Sequence, residues 1–104
     1  MTIPAYIPLD TGTTHSLTTS SVVSITAPNG GTGVLLQSIT GNVRWTLTTA
    51  ALDGNPTTTA RFQLEPTTEP IYVPLPGGVI LRMIAEASGV VAETLGVRAL
   101  NQVS

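Results

Sequence analysis

The chain has no cysteine, no lysine, one histidine and only four aromatic side chains: Tyr6, Trp45, Phe62 and Tyr72. Without cysteine there is no disulfide, thiolate metal site, thiol nucleophile or redox pair. With His15 as the single histidine, a two-histidine metal site is excluded as well. Charge is also scarce. Asp, Glu, Lys and Arg make up 10% of the sequence, against about a quarter in an ordinary globular domain. Four arginines stand against six acids, for a formal charge of −2, which is not the basic surface that phosphate backbones require. No nucleic-acid partner is expected. The apolar stretches are interrupted by Arg82, Glu86 and Gly89, too soon for a membrane span. The first residues carry neither a basic segment nor an unbroken apolar run. No signal peptide and no membrane partner are therefore expected, with synthesis in the cytoplasm.

Polarity comes from hydroxyls instead, 18 Thr and 7 Ser in 104 residues. A hydrophobic fraction of 41% and a mean hydropathy of +0.32 argue for a folded chain. Its length suits one domain with a core of its own. From residue 15 onward the chain reads as short strands between turn signals. Residues 21–27, 34–39, 43–48, 61–65, 71–75, 79–87 and 91–100 are the expected strands. The segment 79–87 contains good helix formers, but its alternation and its flanking glycines favour a strand. Residues 43–48 alternate most clearly, with Val43, Trp45 and Leu47 on one side. The expected core is Val23, Ile25, Leu36, Val43, Trp45, Leu47, Phe62, Leu64, Ile71, Val73, Leu81, Met83, Leu95 and Val97. Fold class is thus all-β: a single antiparallel β-sandwich, jelly-roll-like, of seven to eight short strands over residues 13–104. An extended N-terminal arm over residues 1–12 precedes it.

The arm is the candidate partner-binding segment. Pro4 and Pro8 pre-extend the chain, and Ile3, Tyr6, Ile7 and Leu9 are costly to leave in water. Their burial contributes on the order of several kcal/mol before ordering costs. The segment is either an edge strand of its own domain or an arm laid on a neighbouring subunit. The second alternative makes Ile3, Pro4, Tyr6, Ile7, Pro8 and Leu9 the contact residues.

No constellation for chemistry stands out. His15 lies in Thr13-Thr14-His15-Ser16, a surface-like stretch with no nucleophile elbow nearby. The acids Asp10, Asp53, Glu65, Glu69, Glu86 and Glu93 are scattered, without the spacing of a calcium loop. The cluster Gly30-Gly31-Thr32-Gly33 leads into a strand and lacks a Gly-Lys-Ser/Thr ending, so it is a turn and no phosphate loop. Arg44, Arg61, Arg82 and Arg98 each sit between apolar neighbours, on the face opposite the core, as cross-strand partners of Glu86 or Glu93 or as anchors in an interface. No catalysis, no metal and no cofactor are expected.

Two resemblances follow from these residues. Val43-Arg44-Trp45-Thr46-Leu47, Asp53-Gly54-Asn55-Pro56-Thr57 and Leu81-Arg82-Met83-Ile84-Ala85 resemble a strand–turn–strand pattern. It is found in small β-sandwich modules appended to glycoside hydrolases and in small phage virion proteins. Residues 48–52 are an insertion relative to it. The whole chain, lysine-poor and rich in Thr and Gly, resembles the small β proteins of tailed-phage particles, above all capsid decoration (cement) proteins. That resemblance implies a virion structural protein without catalysis, made in the host cytoplasm. It would bind the major capsid protein or another virion protein as a homo-oligomer. The alternatives are a tail or fibre component, or a small carbohydrate- or ligand-binding β-sandwich module.

Overall fold

The computed structural model describes residues 6–49, 55–58 and 61–100. Among them are nine strands and no helix. The strands are β1 (Tyr6–Pro8), β2 (Thr13–Leu17), β3 (Val23–Ile25), β4 (Gly33–Thr40), β5 (Val43–Thr49), β6 (Phe62–Leu64), β7 (Ile71–Pro74), β8 (Val79–Ala85) and β9 (Val90–Ala99). The segment with mixed helix and strand signals, Val79–Ala85, is a strand. Seven of the nine lie where alternation and turn residues place them. The other two, β1 and β2, take the count above the expected seven to eight.

The strands form two antiparallel sheets. One runs β1-β9-β4-β7, with β2 also pairing β9, and the other runs β3-β8-β5-β6. Both sheets contribute to one apolar core: Val34, Leu36, Val73 and Ala92 from the first meet Val43, Leu81, Met83 and Ala85 from the second. Met83 is fully buried in this core, where its unbranched side chain adapts to the space left by its neighbours. The chain changes sheet through short turns. Gly41, at φ +75, makes one of them, and a Cβ there would come within 2.7 Å of Val90 Cγ2.

Three core expectations are corrected. On β9 the inward set is Val90, Ala92 and Thr94, so Leu95 faces outward. Strand β4 sets this phase. Its inward Leu36 and Ser38 stand beside Thr94 and Ala92, while its outward Leu35 stands beside Leu95. Leu47 is 38% exposed and Phe62 is 61% exposed. Phe62 sits on the three-residue edge strand β6, against Trp45, the ring centroids lying 5.2 Å apart. Val97 is buried as expected, but on the outer face, in a row with Pro8 and Gly33.

Residues 6–8 of the arm are laid on their own sheet: Tyr6, Ile7 and Pro8 pair Ala99, Arg98 and Val97. Strand β2 then pairs Thr13 with Thr94 through Leu17 with Val90. Four residues, 9–12, therefore stand opposite only two of β9, Leu95 and Gly96. Asp10 fills this jog. Its carboxylate accepts from the Gly12 N–H at 2.8 Å and from the Gly96 N–H at 3.2 Å, while Leu9 N–H donates to the Gly96 carbonyl at 2.8 Å. The two donors freed by the bulge are thus satisfied locally, as buried or part-buried backbone requires.

Gly33 is where backbones come closest. A Cβ there would collide with the Val73 carbonyl oxygen and lie 3.0 Å from Pro74 Cα, and neither atom is free to yield. Gly77 has open space around the same position. Gly33→Ala is expected to cost at least about 2 kcal/mol of stability, and Gly77→Ala to change it by less than about 0.5 kcal/mol. Urea midpoints of the two variants check this, and equal midpoints would contradict the packing described.

Candidate functional site

The outward face of the β1-β9-β4-β7 sheet gathers most of the residues of interest. Tyr6 on β1 and Tyr72 on β7 come from opposite edges of the sheet, yet their rings meet at 5.0 Å between centroids, tilted by 33°. This contact is possible because Gly33 has no side chain between them. The Tyr72 ring passes over Gly33, where a Cβ would be 3.1 Å from Tyr72 Cε1. At the far end of the ring, the Tyr72 hydroxyl donates to Thr32 Oγ1 at 2.8 Å, and Ala99 N–H donates to the same oxygen at 2.9 Å. Partial burial, and Tyr72 beside it, push the Tyr6 hydroxyl above its ordinary pKa, so at neutral pH it remains a donor.

Next along the face lie Leu35 and Leu95, directly paired, then Gln37 and Glu93, also paired. With Thr11, Gly12 and Pro70 they line an open depression of about 190 Å³. Gln37 Nε2 donates to the Thr67 carbonyl at 2.7 Å, which fixes the amide against the loop before β7. A second depression, about 280 Å³, lies between the end of β3 and the β7–β8 turn, against Ala27, Leu75 and Val79.

Of the candidate contact residues, Ile3 and Pro4 lie outside the described residues. Tyr6 and Ile7 are half-buried in β1, Pro8 is exposed at its end, and Leu9 is 38% exposed. Pro8 has no N–H and sits on an edge strand, where a missing donor costs nothing in the ladder.

The opposite face of the molecule is furnished differently. On the β3-β8-β5-β6 sheet, Arg44 Nε donates to Glu86 Oε2 at 2.8 Å, and Gln63 Nε2 donates to the same oxygen at 2.7 Å. The Gln63 amide above all, then the Arg44 guanidinium, hold the Glu86 carboxyl below the usual carboxylate range. Arg82 Nη1 donates to Asn55 Oδ1 at 2.6 Å, beside the buried Pro56. The strand–turn–strand pattern is thereby assembled in space, since β5 and β8 pair in full register from Val43 with Ala85 to Thr49 with Val79. Asp53 and Gly54 of that pattern lie outside the described residues. Arg61 stands just before β6, with φ 78, and not within a strand.

His15 lies on β2, part-buried, and its Nε2 is hydrogen-bonded to Thr94 Oγ1 at 2.8 Å. Asp10, its nearest acid in sequence, is engaged with Gly12 and Gly96. Among the described residues, no group of three or more His, Asp and Glu side chains could hold a metal ion. Sequence reasoning did not find the tyrosine pair, because 66 positions separate its members by numbering and β1 carries no alternation to announce it. Comparison with protein-family models, curated proteins and solved structures found no match.

Burial pushes the His15 pKa below its ordinary value. The unfolded chain therefore binds a proton more readily than the folded one as pH falls past the ordinary histidine range. Stability is full above about pH 6.5 and is expected to decline as pH drops toward about 5, before the carboxylates titrate. His15→Gln should flatten the urea midpoint across that interval. An unchanged slope in the variant would assign the decline to another group.

Proposed function

We propose that this protein is a structural component of a virus particle, a capsid decoration protein that attaches to neighbouring capsid subunits and performs no catalysis. The observation that carries the proposal is the strand order of the two sheets. With β1 and β2 taken as one broken edge strand, the orders are β2-β9-β4-β7 and β3-β8-β5-β6. Apart from the directly paired β5 and β6, successive strands alternate between the sheets, an order that supports a jelly-roll reading, and jelly rolls recur in viral capsid domains. Fold by itself does not imply function. Two features of the surface add support. Charge is sparse, and large apolar side chains remain exposed at Leu9, Ile39, Leu47, Phe62 and Leu100, as suits a protein whose work is contact. Attachment at many symmetry-related points would make a weak single contact effectively permanent.

The test is co-sedimentation of the purified chain with empty capsid shells. Saturable binding is expected. A chain that ignores every shell would overturn the proposal. Leu9→Ser, at a side chain 38% exposed just after β1, is expected to weaken attachment while circular dichroism shows an unchanged fold. If the variant attaches as the parent does, the contact lies elsewhere than Leu9.

A further inference from the structure

We infer that the outward face of the β1-β9-β4-β7 sheet is the interface of a homodimer, packed face to face on a second copy of this chain. The two outer faces of the molecule contrast sharply. That of the β3-β8-β5-β6 sheet is occupied by its own chain: the Arg44–Glu86–Gln63 cluster, Arg82 on Asn55, and buried Pro56. The outward face of the other sheet presents Tyr6, Tyr72, Leu35, Leu95 and Val91, all only half-buried. Glu93 is the one charged side chain that its β4 and β9 rows carry. A sheet with apolar residues on both faces is expected to be covered on both.

Size and complementarity favour a second copy as the cover. The face is made by the thirty residues of its five strands. At ~4.8 Å between strands and ~3.3 Å per residue this is a plane of roughly 500 Å². Stable interfaces bury about 600–1,000 Å² per partner, a size that the face approaches once its protruding side chains are counted. It is also self-complementary. The Tyr6 hydroxyl, a donor, lies in the row of Ala99 at one end, and the Glu93 carboxylate, an acceptor, lies six residues away along β9. A two-fold axis lying across the strands between Leu95 and Val97 exchanges these ends. Each Tyr6 is then brought over the Glu93 of the other copy, the two Glu93 charges are held apart, and Leu35 and Leu95 of each copy face the Val97 row of the other. Such an isologous contact closes at two copies, with the sheets at the usual ~10 Å face-to-face spacing.

Sedimentation velocity of the full chain across the micromolar range tests the inference, with a dimer as the expected species. Leu95→Glu should weaken self-association by at least about tenfold, while circular dichroism and the urea midpoint of the monomer stay near those of the parent. Because the chain has no cysteine, a single engineered thiol gives a second readout independent of that variant's folding. Leu95→Cys is expected to be joined to its counterpart in the other copy by a short bismaleimide that spans about 10 Å, the spacing of packed sheets, and Gln63→Cys on the opposite sheet is not. A parent chain that stays monomeric, or a dimer trapped by Gln63→Cys and not by Leu95→Cys, would overturn the inference. Its failure is separable from that of the particle proposal. A monomer whose attachment to shells is lost in Leu95→Glu would give the face to the capsid protein instead.

Discussion

Strand β9 is the element on which the larger sheet depends. It pairs β4 along one edge and both β1 and β2 along the other, so β1 and β2 reach the sheet only through it. One uninterrupted ten-residue strand serves two separate partners on the same side because the chain steps sideways at residues 9–12. The Asp10 carboxylate replaces the backbone acceptors lost in that step. Gly96 is the matching half of the device: a Cβ there would lie 2.7 Å from Asp10 Oδ2 and 2.6 Å from Pro28 Cγ. Absence of a side chain at one position and presence of a short acid at another are therefore a single structural fact.

The same economy of side chains shapes the outer face. Gly33 admits Val73 on one side and the Tyr72 ring on the other, and this lets two tyrosines from opposite edges meet. Such a contact spans the whole width of the sheet without any backbone pairing between β1 and β7. It roofs Val97, which is fully buried though it lies outside the inter-sheet cluster.

Much of the architecture is legible in the sequence where a strand is central and half of it is bulky. Residues 43–48 and the segment from Val79 announce themselves by alternation, and 34–39 by an apolar run between turn residues, and each is a strand. Failures have local causes. Strand β2 reads Thr-Thr-His-Ser-Leu, an edge strand whose outward positions need no apolar residue, so it carries no periodic signal. Strand β1 is obscured by its proline. On β9 the larger residues, Val91 and Leu95, suggest the wrong inward set, because bulk placed on the second face counts the same in an alternation pattern. The tyrosine pair is a tertiary contact, and no local pattern encodes it. Of the candidate arm, the proline spacing shows that the chain is extended but not which surface it lies on.

The placement of β9 also orders events in time. Strands β1, β2 and β4 precede their common partner by some fifty to ninety positions in the numbering, and every pairing of β9 is long in sequence. Loop-closure entropy makes such contacts slow to form. During synthesis, three strands with open edges and apolar faces must wait until residue 99 has left the ribosome. The tyrosines and β4 are then the segments most open to wrong pairing with another nascent chain. The interval between translation of β4 and release of β9 is thus the stage at which chaperone occupancy would govern yield.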